Sequence, residues 1–257
     1  MSNASGAAKP RPRGARSEKT FGWRLVAGVV IPPLRMAAKF RILDGHKVPR
    51  TGAFVLSPNH YSEIDPIIMG YAMWKQGRVP RFLAKASLFK IPVVGAVLRG
   101  TGQIPVERAG SSRKADPLAA AKLLVQQHSG VIVYPEGSLT RDPDLWPMRG
   151  KTGAVRLALT AGVPIIPAAH WGTQALMPRY GKRIHAFPQK KIDVIFGDPV
   201  DLSAFAGRPL DTATLTEATA VVMADVTRLL ERLRGETAPA ERWDPAKKNQ
   251  KETGRFE

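Results

Sequence analysis

The stretch Ala53-Phe54-Val55-Leu56-Ser57-Pro58-Asn59-His60-Tyr61-Ser62-Glu63-Ile64-Asp65-Pro66 reads as an apolar strand that leaves into a polar turn and then a helix. It sets an imidazole and a carboxylate five residues apart. Positions i and i+5 do not share a helix face, so the pair suits a loop turning into a helix rather than a regular element. With Ser62 as N-cap, Asp65 falls at the third helical position, where an acidic side chain reaches back over the helix start toward His60. Pro66 is tolerated there because the first turn has no obligatory backbone donors. A histidine serving as general base needs a fixed tautomer and orientation, and a neighbouring carboxylate supplies both. Alone, the two residues also read as a loop histidine beside a capping carboxylate.

Working outward, short β-rich runs alternate with helical patterns. Strands are predicted at 53–57, 81–84, 103–106, 131–134, 164–168 and 192–197, and helices at 62–76, 113–128, 150–161 and 213–234. Gly130 and Gly162 fall where helical runs end, as C-terminal glycines do. The alternation predicts an α/β fold, with a mostly parallel or mixed central sheet flanked by helices. In such sheets ligands bind beyond the carboxyl ends of the strands. His60, Arg108 and Glu136 all lie just past such ends.

The chain of 257 residues has no cysteine, which excludes disulfides, thiolate metal sites and cysteine nucleophiles. Its histidines, at 46, 60, 128, 170 and 185, show no metal-ligand spacing, so no metal is expected. Of the formal net charge of +18, an excess of +9 lies in residues 1–50. A basic end of this kind favours a polyanion. Nucleic acid would call for aromatics interleaved with the basic residues or a recognisable module, and neither is present. The apolar content of residues 20–40 points instead to anionic membrane lipids. Ten apolar residues are too few to span a bilayer, which needs ~20. They suit a helical segment lying in the interface, with Trp23 at headgroup level, Arg24 on phosphates, and Leu25, Val29, Ile31 and Leu34 as apolar bulk. A core-docked helix is the competing reading. No small-x-small cleavage pattern follows, so a secretory signal is not expected. Residues 1–19 read as a disordered basic tail, 41–235 as the main domain, and 236–257 as a polar tail. A second apolar segment, Leu88–Leu98, fits an acyl-chain groove, a lipid contact or a buried helix.

Four blocks in order carry a resemblance. Asn59, His60 and Asp65 form the first, and Gly102-Gln103-Ile104-Pro105-Val106-Glu107-Arg108 the second. Tyr134-Pro135-Glu136-Gly137-Ser138 is the third, with Arg141 two residues beyond the usual arginine, and Val163-Pro164-Ile165-Ile166-Pro167 the fourth. Over roughly residues 40 to 200 the chain resembles the glycerolipid acyltransferases, which acylate lysophosphatidic acid or glycerol phosphate. The resemblance implies transfer of an acyl group from a thioester, acyl-CoA or acyl carrier protein, to an alcohol, with no cofactor. His60 would be the general base and Asp65 its orienting partner, with Asn59 and Ser62 in support. Arg108, Glu136, Gly137 and Ser138 would bind the acceptor. The family usually has Phe-Lys-x-Gly near residue 150, so Met148 and Arg149 are departures, and either Lys151 or Arg149 takes the lysine's part. No Gly-x-Ser-x-Gly elbow is present, which favours direct transfer over an acyl-enzyme. The implied acceptor is lysophosphatidic acid, or else glycerol 3-phosphate, a lyso-aminolipid or a glycolipid. The implied location is the cytoplasmic face of the cell membrane, bound peripherally or monotopically.

Overall fold

The computed structural model describes residues 18–106 and 117–251. In chain order these form helix α1 (Phe21–Ala37), strands β1 (Ala38–Leu43) and β2 (Phe54–Pro58), helix α2 (Asp65–Lys75), strand β3 (Arg81–Lys85) and helix α3 (Pro92–Gly100). Then follow β4 (Ile104–Val106), α4 (Pro117–Gln126), β5 (Gly130–Ile132), α5 (Gly153–Ala161), β6 (Ile165–Trp171), α6 (Thr173–Leu176), β7 (Lys190–Phe196) and α7 (Thr212–Arg234). The strands form one sheet in the order β1-β7-β6-β2-β5-β3-β4. All pairs are parallel except β6 with β7. The expected mixed sheet is therefore present.

The alternation of β2 explains its central place. Phe54 and Leu56 pack with Ile68, Met69 and Met73 of α2, while Val55 joins Leu124, Val155, Ala158 and Val222 on the opposite face. A strand covered on both faces must be apolar throughout, and β2 is fully buried. Because β6 and β5 flank β2 in parallel, the exits of all three converge on one edge.

Several expectations are corrected. The predicted interfacial segment ends at Ala37, and residues 38–40 begin strand β1, which pairs with β7. Helix α1 docks one stripe on the body. Trp23 and Leu34 are buried, while Phe21, Leu25 and Val29 are exposed at 84%, 62% and 69%. Trp23 thus faces protein rather than headgroups. Segment 88–98 is no buried helix: in α3 Val93 and Val97 face outward and only Gly95 is buried. His128, at a φ of 47°, makes the left-handed turn after α4. Gly130 instead sits in β5, where a Cβ would lie 2.4 Å from the Phe54 ring. Residues 236–251, expected as a polar tail, lie back on the body. Ala238 packs beside Trp146 and Leu229, and the Trp243 carbonyl accepts from the Arg149 amide at 2.8 Å. A few anchors and backbone bonds hold it, which average polarity does not reveal. Residues 1–17 and 252–257 of the expected tails lie outside the described residues, but Glu18 pairs with Arg78 and Arg81 at 2.6 Å each.

Arg78 is the main polar tie beneath the sheet. Its buried guanidinium donates to the carbonyls of Pro49 (2.6 Å), Gly52 (2.9 Å) and His128 (2.8 Å), joining the entries to β2 and β5. Arg78→Ala strands three buried carbonyl acceptors and leaves the Glu18 carboxylate to Arg81 alone. Removing one member of a buried charged network costs about 3–5 kcal/mol. A urea-unfolding comparison should show a loss of that size, and a loss under about 1 kcal/mol would contradict this role.

Candidate active site

The exit of β2 builds the site. Asp65 opens α2 as its first residue, not its third, and Ser62 is not the cap. The Ser62 hydroxyl instead donates to the Met177 carbonyl at 2.7 Å. Asp65 still reaches back as expected. Its Oδ2 accepts from the Tyr61 and Ser62 amides at 2.8 Å each and from His60 Nδ1 at 2.9 Å. Since Nδ1 faces a carboxylate it carries the proton, leaving Nε2 as the basic nitrogen. Asp65 is fully buried, whereas the His60 side chain keeps 16% of its surface open to solvent.

His60 is held on every side. Its amide donates to Glu136 Oε1 at 2.8 Å, and its carbonyl accepts from the Thr140 amide at 2.7 Å. Its ring stacks on Tyr134 with centroids 4.0 Å apart and planes at 27°. The Tyr134 phenol is pushed well above its ordinary range, first by burial and then by the Asp65 charge, so it stays protonated.

Asn59 ties β2 to β6. Its amide nitrogen donates to the His170 carbonyl at 3.1 Å, and its side-chain oxygen accepts from the His170 amide at 2.9 Å. The His170 ring returns the contact, with Nε2 3.1 Å from the Asn59 carbonyl and 3.7 Å from Asp65 Oδ2. Nδ1 sits 3.1 Å from the Thr173 hydroxyl, so Nε2 is the protonated nitrogen. Burial lowers the His170 pKa, against the opposing pull of Asp65, and keeps this ring neutral. His170, Tyr134 and the Met148 amide were not anticipated from sequence. The available signals were that His170 lies near the end of β6 and that Tyr134 opens the block just past β5.

Glu136 is fully buried with both oxygens in use, since Oε2 accepts from the Met148 amide at 3.0 Å. It therefore holds backbone, and the exposed part of its motif is Gly137, followed by half-buried Ser138. Gly137, at a φ of +70°, lies against the Lys151 stem, where a Cβ would come within 2.9 Å of Cδ. The Lys151 amide bonds the Pro135 carbonyl at 2.7 Å, which fixes that lysine beside the Glu136 loop. The Arg149 guanidinium lies 3.1 Å from Asp244. Arg141 is buried. Arg108 lies outside the described residues.

A model of the acyltransferase family matches residues 39–171, just over half of the chain. The chain belongs to this family. Among curated proteins it is 30% identical over 147 residues to a chloroplastic 1-acyl-sn-glycerol-3-phosphate acyltransferase of Brassica napus, covering 56% of this chain and 41% of that one. It is 28% identical over 192 residues to the 1-acyl-sn-glycerol-3-phosphate acyltransferase of Bacillus subtilis, covering 72% and 86%. The chain thus spans less than half the length of the plant relative but most of the bacterial one. Among solved structures it is similar in fold to the Thermotoga maritima 1-acyl-sn-glycerophosphate acyltransferase, with a TM-score of 0.53, 21% identity and 82% of each chain covered.

The buried carboxylate gives a pH signature. Burial pushes Glu136 from its ordinary 4.5 up to about 8, against the downward pull of the Met148 and His60 amides. The folded chain then holds this proton through a range where the unfolded chain has released it. Stability therefore falls as pH rises from about 4.5 and levels off above about 8. In Glu136→Gln, which cannot ionise, that slope should vanish. Urea unfolding of both proteins from pH 5 to 9 checks this, and parallel curves would contradict it.

Proposed function

We propose that this acyltransferase-family chain acylates lysophosphatidic acid from a thioester donor, acyl-CoA or acyl carrier protein, giving phosphatidic acid at a membrane surface. The observation that carries the reading is the His60 Nδ1–Asp65 Oδ2 contact of 2.9 Å, which leaves Nε2 basic at an edge open to solvent. An alcohol is a weak nucleophile near neutral pH. His60 Nε2 takes the acceptor hydroxyl proton as that oxygen attacks the thioester carbonyl. The tetrahedral intermediate collapses, the carbon–sulfur bond breaks, and the imidazolium returns the proton to the departing thiolate. Asp65 stabilises the imidazolium without itself taking the proton. Lys151, against Gly137, and Arg108, by resemblance, supply positive charge for the acceptor phosphate. The names of the bacterial and plant relatives favour lysophosphatidic acid over glycerol 3-phosphate, a lyso-aminolipid or a glycolipid. Beside Pro66 and Ile67, Trp23, Val30, Ile31 and Phe82 line an apolar cleft suited to an acyl chain.

No helix among the described residues is long and apolar enough to cross a membrane. Contact with the cytoplasmic leaflet is assigned to the exposed face of α1, which buries apolar surface while neighbouring Arg24 and Arg35 meet anionic headgroups.

His60→Ala should lower kcat by at least ~100-fold in a thioester-consumption assay with lysophosphatidic acid, the lower range for a general base. Asp65→Asn should lose less, because it misorients the base rather than deleting it. A folded His60→Ala variant with full activity would overturn the mechanism, and a panel of acceptors tests the substrate. For membrane contact, removing α1 would uncover core residues, so surface substitutions are the cleaner probe. Leu25→Glu with Val29→Glu should reduce sedimentation with anionic vesicles while sparing activity on detergent-dispersed acceptor. Unchanged sedimentation would move the contact to α3.

A further inference from the structure

A groove of about 440 Å³ lies where α1 runs into β1, against the last turns of α2. Arg35, Lys39 and Lys75 line it, together with Phe40 and Tyr71. Among the described residues no carboxylate lines the groove, and none of the three cations forms an ion pair. Tyr71 and Lys75, four apart, share one face of α2. The Tyr71 ring packs on Phe40 with centroids 4.5 Å apart, and the residue is only 9% exposed. Its hydroxyl nevertheless has no hydrogen-bond partner among the described residues, although groups so buried ordinarily find one. Such a surface is complementary to an anion with several acceptor oxygens. It is distinct from the His60 site. Strand β1 is the edge strand, separated from β2 by β7 and β6, and Lys75 lies about 15 Å along α2 from Asp65 at the rise of a helix.

We propose that this groove binds the phosphomonoester headgroup of a membrane lipid, with Arg35, Lys39 and Lys75 meeting its charge and the Tyr71 hydroxyl donating to a phosphate oxygen. Helix α1 decides the source of the phosphate. Arg35 sits in its last turn, and exposed Met36 stands three turns on from Leu25, on the outward apolar face that also carries Val29. The groove therefore opens beside the face assigned to the leaflet. A phosphomonoester carries nearly two charges and three strong acceptor oxygens. A phosphodiester headgroup offers one charge and two free oxygens, a poorer match for three cations and a neutral donor. The guanidinium of Arg35 can take two oxygens at once, which a lysine cannot. Lysophosphatidic and phosphatidic acid both belong to the phosphomonoester class, so the groove would hold the protein on membrane that contains them.

This assignment rests on the membrane contact of α1, and the experiment separates the two. The full chain is sedimented with vesicles containing phosphatidic acid or phosphatidylserine, adjusted to equal surface potential. The wild-type protein should bind the phosphatidic acid vesicles about tenfold more tightly. Lys75→Gln should lose about fivefold on them, the share of one basic residue at an anionic surface. Lys122→Gln removes the same charge from an exposed position on α4, across the sheet, and should change little. Tyr71→Phe removes a donor but neither charge nor bulk. It should lose roughly tenfold on phosphatidic acid, the lower end for a hydrogen bond to a charged group, and nothing on phosphatidylserine. Equal wild-type binding to both vesicles would overturn the groove and leave the α1 contact standing, as would a Tyr71→Phe loss alike on both. No sedimentation with either vesicle would overturn both. A preference erased by inorganic phosphate at matched ionic strength would make the ligand free phosphate, and duplex DNA competing as well as the vesicles would make the groove a general polyanion surface. Either result refutes the lipid assignment. Thioester consumption on detergent-dispersed acceptor reports the transfer reaction separately, so its absence would leave the groove standing.

Discussion

One carboxylate oxygen organises the catalytic edge. Asp65 Oδ2, itself fully buried, collects the His60 ring nitrogen and the amides of Tyr61 and Ser62, all within 2.9 Å. Burying a carboxylate is costly unless hydrogen bonds compensate, and here three donors do so. The same bonds force residues 60–65 to curl around the oxygen, which explains how a separation of five residues becomes a contact. They also select the imidazole tautomer, so the bonds that shape the turn also serve the proposed general base. The Ser62 hydroxyl, expected as the cap, is engaged with the Met177 carbonyl instead.

A second buried carboxylate lies close by and faces a similar constraint. Glu136 solves it with the amides of His60 and Met148, spanning the exits of β2 and β5. Parallel strands end in backbone groups with no partner in the sheet, and a carboxylate placed there can gather the amides of the loops that follow. The His60 amide thereby hangs on Glu136 while its side chain hangs on Asp65, two acids that repel one another. Asn59 and His170 complete the frame by exchanging side-chain and backbone bonds between β2 and β6. His60 is thus held by the start of α2 and by the loop that follows β5, and Asn59 ties the exit of β2 to β6 beside it. Burial holds the Glu136 proton up to about 8, so this frame contributes less stability as pH rises from about 4.5 to about 8.

Helix α1 shows a division of labour along one amphipathic segment. Trp23, Leu34 and Ala37 face the body and fasten the helix to it, whereas Phe21, Leu25 and Val29 project outward. The docked stripe fixes the outward one in orientation relative to the site, which a tethered but undocked helix could not do.

The sequence by itself determined the local grammar. The alternation of Phe54, Val55 and Leu56 specified a doubly covered strand, and the βα alternation specified the mixed α/β sheet. The block Asn59–Asp65 specified a histidine–carboxylate pair at a strand exit. These features were legible because each depends on residues within one turn or one strand of each other. Glu136 was legible as a functional residue but not in its role, because its partners, the amides of His60 and Met148, carry no side-chain signature. His170 was invisible, since its importance comes from β6 lying beside β2, over a hundred residues away in the chain. Trp23 was assigned to the wrong side of its helix, because an aromatic on an amphipathic segment suits either a core or an interface until the packing partner is known. The fold of residues 236–251 escaped notice for a similar reason: backbone bonds and a few anchors hold it, and composition records neither. Only the tertiary structure decides such contacts, because the order of strands in a sheet, rather than any local pattern, sets which loops meet.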